Sequence, residues 1–248
     1  MPHKQLTVSQ DQRLVASKWY DPDCRACPRL ASYLDETSQA FPGYFCRPVP
    51  CFGDRRAKLL IVGLAPGKHG ANATGRPFTG DHAGLLLYRI LHQHGLSNNP
   101  ESTARGDALR LHGCRITNAV KCLPPENRPI GSEVRNCIGF IGAEIQDLPK
   151  GAVILALGKV AHDAVIRVFE LKLSTHKFIH GGEITLRDDR ILLSSYHCSR
   201  YNTQTGRLTE QMFTKIISRA KQLSGLCLLY TSDAADDTPC VDLGGRRI

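Results

Sequence analysis

Short apolar runs alternate along this chain with longer amphipathic segments. The runs at 58–63 and 152–158 are rich in branched aliphatic residues, and 115–122 is a third candidate, so each predicts a buried strand. Apolar residues at helical spacing predict four helices. These cover 82–95, 132–148, 159–170 and 209–223, and a strand pair is expected within 183–197. Strands that alternate with helices indicate a parallel sheet covered on both faces, which is an α/β fold.

Three loops that follow candidate strands are where a functional site is expected. They are 64–81, 118–128 and 197–207. In sheets of this kind, ligands bind at the carboxyl ends of the strands. The segment 24–57 is rich in Cys, Pro and Arg and predicts irregular structure.

Residues 227–248 differ from the rest of the chain. They follow a helix pattern that runs into Ser-Gly, and they carry four Asp against two Arg. The strings CLLYTSDAADD and VDLGGRRI resemble translated sequencing-adapter DNA and occur in the adapter order. We interpret the segment as adapter read-through and not native protein; a natural disordered tail is the alternative. Its removal is expected to leave fold and activity intact.

The charge balance points to a polyanionic partner. The 248 residues include 32 Lys and Arg against 23 Asp and Glu, a net charge of +9, which favours nucleic acid. No apolar run reaches the roughly 20 residues of a membrane helix, and the first residues show no apolar segment typical of an export signal. We therefore expect no membrane association and a cytoplasmic location. There, the ten cysteines would be metal ligands or buried thiols, not disulfides.

Four cysteines form the first chemical pattern. Cys24 and Cys27 make a CxxC pair, and fourteen residues separate Cys122 from Cys137. Such thiolates fit a zinc ion or an iron–sulfur cluster, and the spacing alone favours neither. Buried, unreactive thiols are the plain alternative. A redox role for the CxxC is disfavoured because no strand precedes it.

A glycine-rich loop over 63–81 follows the first strand. It lacks the spacing of a P-loop, since only three residues separate Gly63 from Gly67 and no Ser or Thr follows the lysine; no GxGxxG motif is present. Its backbone can approach a base or a phosphate closely. Phe78 stands among small and polar residues, so it either stacks on a base or anchors the loop to the core.

His197 directly follows a strand candidate, and hydrogen-bond donors crowd the segment behind it. In a basic chain this pattern favours a phosphate-gripping loop. A structural histidine, and arginines paired with acids such as Glu210, are the alternatives. Carboxylates are scarce in the three loops, where only Asp81 and Glu126 occur. Chemistry that needs two carboxylates is therefore not expected, and no GxSxG nucleophile motif is present.

Three stretches together resemble the uracil-DNA glycosylase superfamily in its family-5 branch. They are GLAPG…GANATGRPFTGD, TNAVKCLPPENRP and SYHCSRYNTQTGRLT, and the resemblance covers roughly residues 20–223. It implies a three-layer α/β/α sandwich with a short, mostly parallel central sheet. It implies a single domain over 1–226.

The cysteine pattern is similar to the four ligands of the [4Fe–4S] cluster of that branch. The resemblance therefore selects a cluster over zinc. It implies as ligands Cys24, Cys27, Cys122 and Cys137. The cluster-bound segments would be 24–57 and 122–137.

The activity implied is that of a monofunctional DNA glycosylase, a hydrolase of N-glycosyl bonds. It would flip uracil out of DNA, release it and leave an abasic site in base excision repair. The branch also implies hypoxanthine and xanthine as substrates. The partner would be single- or double-stranded DNA, bound by a monomer at the nucleoid of a prokaryote. A cluster- or zinc-stabilised DNA-binding module without glycosylase activity is the alternative.

The resemblance assigns residues to a base pocket. A first motif would face the base and the water: Gly63, Leu64, Ala65, Pro66 and Gly67. Other branches carry a water-positioning Asp, Asn or Glu in this motif, which is missing here. Asn72 falls where the family-5 branch has a polar or acidic residue. An amide there can orient water but cannot act as a general base.

Further roles follow from the other two stretches. Phe78 would stack on the flipped base, Asn118 would hydrogen-bond in the pocket, and His197 would bind the base O2 and stabilise the leaving anion. The DNA backbone would be clamped by Ser199, Arg200, Thr205 and Arg207. The family usually has proline after this histidine, whereas this chain has Cys198. A freed backbone N–H and a looser turn are expected there.

Overall fold

A six-stranded sheet forms the centre of the molecule. The computed structural model describes residues 17–226, and the adapter-like segment 227–248 lies outside the described residues. The strands are β1 (Phe52–Gly53), β2 (Leu59–Gly63), β3 (Cys114–Asn118), β4 (Val153–Leu157), β5 (Glu183–Thr185) and β6 (Ile191–Ser195). Their order in the sheet is β1-β3-β2-β4-β6-β5.

The four inner strands are parallel, and the two edge strands are antiparallel to their neighbours. Ile61 at the centre of β2 lies opposite Ile116 of β3 and Leu155 of β4. Every residue of β2, β3 and β4 is buried, as expected for short strands covered on both faces. The prediction of a short, mostly parallel sheet is confirmed.

Helices cover both faces of the sheet. They are α1 (Pro28–Ala40), α2 (Ala71–Thr74), α3 (His82–Gln93), α4 (Gly131–Gln146), α5 (Lys159–Val168), α6 (Arg200–Gln204) and α7 (Glu210–Leu223). Leu60 and Ile154 face the apolar layer of α1, α4 and α5. Ile61 and Leu155 face the layer of α3 and α7. Because successive strand residues point to opposite faces, the two layers produce the expected α/β/α sandwich.

The prediction that 24–57 is irregular is wrong for its first half, where α1 runs over Pro28–Ala40. Pro28 occupies the first helical position, where proline is tolerated because that N–H has no partner within the helix. Leu30, Leu34 and Thr37 form the buried face of this helix. The loops 64–81 and 197–207 likewise contain the short helices α2 and α6.

The third predicted strand ends earlier than expected. β3 stops at Asn118, and 119–122 continues as a buried segment without strand geometry. The amide of Ala119 still donates to the carbonyl of Gly63 at 2.9 Å, and that of Val120 to Leu64 at 3.0 Å. Between residues 17 and 226, no helix is both long and apolar enough to cross a membrane.

Candidate active site at the strand ends

A cavity of about 550 Å³ opens at the carboxyl ends of β2, β4 and β6. Its walls include Leu64, Ala65 and Gly67 after β2, Leu157 and Gly158 at the end of β4, and His197, Ser199, Arg200 and Arg207 after β6. A second cavity of about 700 Å³ adjoins it. The two share Gly67, Asp81, His82, Asn127 and Arg200. The place predicted from the strand ends is therefore where the structure has its cavity.

Gly63 lies where two predicted site residues meet. A Cβ on Gly63 would lie 2.5 Å from Oδ1 of Asn118 and 2.6 Å from ring carbons of Phe78. Asn118 ends β3 directly beside Gly63, and its side chain is almost fully buried. Only glycine leaves room for this close approach. The structure therefore brings Gly63, Phe78 and Asn118 together.

Phe78 has an uncommon backbone conformation. Its φ is 53°, in the left-handed region, which is unusual for a bulky residue. The Tyr88 hydroxyl donates to the carbonyl of Pro77 at 2.8 Å, and a Cβ on Gly84 would lie 1.8 Å from the Phe78 carbonyl oxygen. The ring stacks on the imidazole of His197 with centroids 5.7 Å apart. Phe78 thus packs into the core and also faces the histidine.

His197 is positioned by the end of β6 and by the turn that follows. Asn202 donates through Nδ2 to the His197 carbonyl at 2.8 Å. The Cβ of His197 lies 3.4 Å from where a Cβ on Gly158 would be. Burial lowers the pKa of His197 to about 4. The imidazole is therefore neutral at pH 7, with one N–H to donate.

Asn72 does not line either cavity. It is fully buried beneath the loop, where Nδ2 lies 3.5 Å from both Cys46 Sγ and the Lys68 carbonyl. Its backbone N–H donates to the Gly67 carbonyl at 3.0 Å. Oδ1 is buried without a partner within the described residues. Asn72 therefore contacts the wall residues Gly67 and Lys68 without lining a cavity itself.

Asp81 is a site residue that sequence reasoning did not select. It is the N-cap of α3, where Oδ1 accepts from the Gly84 N–H at 2.8 Å. Oδ2 faces the glycine-rich loop. A Cβ added to Gly67 would lie 3.7 Å from this oxygen, and a Cβ added to Gly70 would lie 2.9 Å from it. Burial raises the pKa of Asp81. The scarcity of loop carboxylates was the signal that could have found it.

The segment after His197 forms the rim of the cavity and carries two arginines, Arg200 and Arg207. Ser199 caps α6 by accepting from the Asn202 N–H at 3.4 Å. Arg207 stacks on the Tyr196 ring with its guanidinium carbon 4.8 Å from the centroid. Within residues 17–226, neither Arg200 nor Arg207 forms an ion pair.

Three further details of this segment bear on the sequence-based expectations. Glu210, the acid expected as a partner for these arginines, pairs instead with Arg89 at 2.7 Å. Thr205 lines neither cavity; its hydroxyl donates to the Tyr201 carbonyl at 2.8 Å. Cys198 is fully buried, and its thiol lies 3.5 Å from the Ala83 carbonyl. The cysteine therefore fills the core under the turn, which ties the turn to α3.

The four cysteines of the predicted ligand set come together on one side of the molecule. Cys27 is the N-cap of α1, Cys122 follows β3, and Cys137 lies in α4. All four are free thiols. Burial raises the pKa of Cys122, and the nearby thiols of Cys137, Cys24 and Cys27 raise it further. Each of these thiols is therefore within electrostatic reach of Cys122.

Hydrogen-bond donors lie close to two of the four sulfurs. Across the described part of the chain, no group of three or more His, Cys, Asp or Glu side chains is arranged to hold a metal ion. Asn136 Nδ2 lies 3.4 Å from Cys27 Sγ. Burial raises the pKa of Cys137, and a hydrogen bond from the Lys121 backbone N–H opposes that rise. Such N–H groups stabilise thiolates in cluster sites.

Comparison with known proteins agrees with this geometry. Residues 50–221 match the family described as the Uracil DNA glycosylase superfamily. The chain belongs to this superfamily. It is 50% identical over 208 residues to a Type-5 uracil-DNA glycosylase of Thermus thermophilus, covering 82% of this chain and 94% of that protein. The same name belongs to a Pyrobaculum aerophilum protein, 40% identical over 220 residues, covering 85% of this chain and 95% of that protein.

A Type-4 uracil-DNA glycosylase of Archaeoglobus fulgidus is more distant. It is 32% identical over 134 residues, which cover 54% of this chain and 59% of that protein. The resemblance to the family-5 branch is therefore confirmed, as is the enzyme class, a hydrolase of N-glycosyl bonds that excises uracil in DNA repair. The DNA partner is confirmed at the level of the family.

Proposed function

We propose that this chain releases uracil from DNA by a monofunctional hydrolysis that leaves an abasic site. The observation that carries the proposal is the position of His197: it is partly buried, it lies in the wall of a cavity at the strand ends, and its pKa is lowered to about 4. A flipped uracil in this cavity would place O2 against the imidazole N–H. That donor stabilises the negative charge which develops as the base departs, without needing a strong acid.

The geometry supports Asp81 as the group that handles the water. In the proposed step, the water oxygen bonds to C1′ while the bond from C1′ to the base nitrogen breaks. The bonding electrons stay on the base, which leaves as an anion. Oδ2 of Asp81 takes the proton of the water, a transfer that the amide of Asn72 cannot perform. Asn72 supports the loop through its contacts with Cys46 and Lys68.

The pocket wall and the rim have separate proposed tasks. Gly63, Leu64, Ala65, Pro66 and Gly67 give the base a flat backbone surface to lie against. Phe78 and Asn118 support it at the end of the sheet. The guanidinium groups of Arg200 and Arg207, with Ser199 and Thr205 beside them, suit the DNA backbone.

A Schiff-base mechanism is disfavoured by the state of the nearby lysines. Lys121 is buried in an ion pair with Glu144 and bonded to Thr117. Lys159 lines the cavity, but its Nζ pairs with Asp163 at 2.5 Å. Each of these two amines is held by an acid partner, so hydrolysis without strand cleavage is the expected outcome.

The four cysteines are proposed to hold a [4Fe–4S] cluster. When bound, the cluster supplies a covalent tie among α1, the segment after β3 and α4, through Cys24, Cys27, Cys122 and Cys137. The mutual reach of the thiols and the N–H groups near Cys27 and Cys137 support this. A brown protein with visible absorbance would agree with the proposal. A colourless protein with stoichiometric zinc would contradict it.

We extend the proposal to substrate range and setting. The volume of about 550 Å³ leaves room for a purine, so hypoxanthine and xanthine are proposed as further substrates from single- or double-stranded DNA. The residues through 226 would act as one monomeric domain. Because the substrate is DNA, the proposed location is the nucleoid in the cytoplasm.

The proposal is tested with a glycosylase panel. Oligonucleotides with uracil, hypoxanthine, xanthine or thymine, each as single strand and duplex, are incubated with the protein and then cleaved with alkali. Alkali-dependent cleavage at uracil, absent in His197→Ala, is the expected result. Tight DNA binding without any base release would show that the chain is a binding module. Strand breaks before alkali would contradict the monofunctional mechanism.

A further inference from the structure

Asn127 is a cavity residue that the proposed reaction does not use. It belongs to the loop between Cys122 and α4, and it is exposed. It is one of the residues common to both cavities. Arg200, which also lines both, approaches from the segment after β6. The two residues therefore mark the boundary between the base cavity and its neighbour from two separate loops.

The loop holds Asn127 in an uncommon conformation. Glu126 and Asn127 have φ values of 54° and 55°, in the left-handed region that few residues other than glycine adopt. Asparagine tolerates this region better than most residues. Prolines at 124, 125 and 129 restrict the flanking backbone, and the Asn127 N–H donates to the Pro124 carbonyl at 3.2 Å. Backbone strain of this kind is concentrated at functional sites.

The side chain of Asn127 is available to a ligand. Its backbone N–H is used within the loop, whereas its side-chain amide forms no hydrogen bond to any of residues 17–226. The surroundings are cationic, since the second cavity is also lined by Lys68 and Arg200. Among the described residues, Asp81 is the one acid in either lining. An N–H donor in this setting suits an anion.

We propose that Nδ2 of Asn127 donates to a phosphate of the DNA strand next to the flipped nucleotide. The inference rests on the proposed function and adds a binding residue to it. Asparagine side chains are common donors to DNA phosphates, and such contacts fix the position of the strand without reading its sequence. Asn127 would thereby hold the strand where the base cavity meets the second cavity.

Two substitutions separate the amide from the backbone that carries it. Asn127→Gly keeps the left-handed conformation and removes the donor. Asn127→Asp keeps the shape but opposes a phosphate with a negative charge. Glu126→Gly is the matched control, because it relaxes a neighbouring left-handed residue that lines neither cavity. The probe is a short fluorescent duplex with 2′-fluoro-2′-deoxyuridine, which resists base release, and Kd is measured at several salt concentrations. Melting temperatures confirm that all three variants fold.

We expect Asn127→Gly to raise Kd about tenfold, the loss of about one hydrogen bond to a charged group, whatever bases flank the uracil. Asn127→Asp should raise it further. The salt slope of Asn127→Gly should match the wild type because no cation is lost. Glu126→Gly should bind as tightly as the wild type, or slightly more tightly.

Three results would overturn the inference. They are an unchanged Kd for Asn127→Gly, a loss that depends on the flanking bases, and an equal loss in Glu126→Gly. The first would show that Asn127 does not contact the DNA. The second would show that it contacts a base and not a phosphate. The third would show that the loss comes from a change in loop stiffness. If the wild type releases no uracil, the proposed function fails on its own, since binding of the probe is measured separately.

Discussion

Replacing Asp81 by asparagine tests the proposed chemistry most directly. Oδ1 accepts the Gly84 N–H at the start of α3, and asparagine is as good an N-cap as aspartate. The side chains have nearly the same volume, so the neighbouring Gly67 and Gly70 need not move. The substitution therefore leaves the cap and removes only the proton acceptor at Oδ2. We expect a fall of about 10²–10⁴ in the rate of base release, the usual contribution of a general base.

The effect on stability has a defined sign. Burial raises the pKa of Asp81 above its unfolded value, so the folded protein binds this proton more tightly than the unfolded chain does. Above the unfolded pKa, the ionised carboxylate therefore destabilises the fold, and stability from this group increases as the pH falls through the folded pKa. The amide that replaces the carboxylate carries no charge at any of these pH values. The Asp81→Asn protein should thus melt at neutral pH at the wild-type temperature or slightly above it.

The assay is single-turnover release of uracil from a labelled duplex, followed from acid to neutral pH. The wild-type rate should fall on the acid side as Asp81 takes up a proton, and Asp81→Asn should lose that limb. The titratable groups near Asp81 are His82, Tyr88 and Cys198. Thr209→Ala, which removes the cap of α7, controls for a simple loss of helix stability. A wild-type rate in Asp81→Asn, with the acid limb intact, would refute the role of Asp81.

Further predictions address the histidine, the cluster and the rim. His197→Ala should lower base release about 10²–10³-fold, while the Kd for DNA stays near wild type. The folded pKa of His197, about 4, lies below the unfolded value, so the wild-type protein loses stability as the pH falls below about 6.5. His197→Ala should lose less stability over this pH range, as measured by thermal melts. Cys24→Ser or Cys122→Ser should bleach the visible absorbance and lower the melting temperature; two brown, stable variants would contradict the ligand assignment. Arg207→Ala should weaken binding to undamaged and uracil-containing DNA alike and flatten the salt slope by about 0.9, whereas an unchanged slope would mean that Arg207 contacts no phosphate.

The strands and the longer helices could be predicted because each satisfies a local pattern. The run at 58–63 is apolar at every buried position of β2, and α3 begins at His82, where the predicted helix 82–95 begins. The helix α1 escapes prediction because a proline in a Cys- and Arg-rich segment is a common loop signal. At the first helical position, however, the same residue is compatible with a helix. Its buried face packs on residues more than 80 positions away, such as Ile141, which no local window reveals.

The sequence was enough to predict which loops form the candidate site, but not which way their side chains point. The histidine and the arginines were found because they follow a strand end. Asn72 and Asp81 lie in one loop, and only the folded chain shows that the amide points beneath it and the carboxylate into the cavity. The pairing of Glu210 with Arg89 depends on how α7 packs on α3. Distances between elements of this kind follow from tertiary packing, which periodicity does not encode.

The wide separation of the cysteines along the chain affects how the protein is made. Cys24 and Cys27 leave the ribosome about 110 residues before Cys137, a delay of roughly 5–20 s at ordinary rates of synthesis. During this interval the proposed ligand set lacks at least one of its four thiols. The segment between them includes β2 and β3, so two of the four parallel strands are synthesised before the last thiol. If the four cysteines hold the proposed [4Fe–4S] cluster, iron and sulfur would be delivered only after Cys137 has been synthesised, and a shortage of either would leave α1 and α4 without that covalent link.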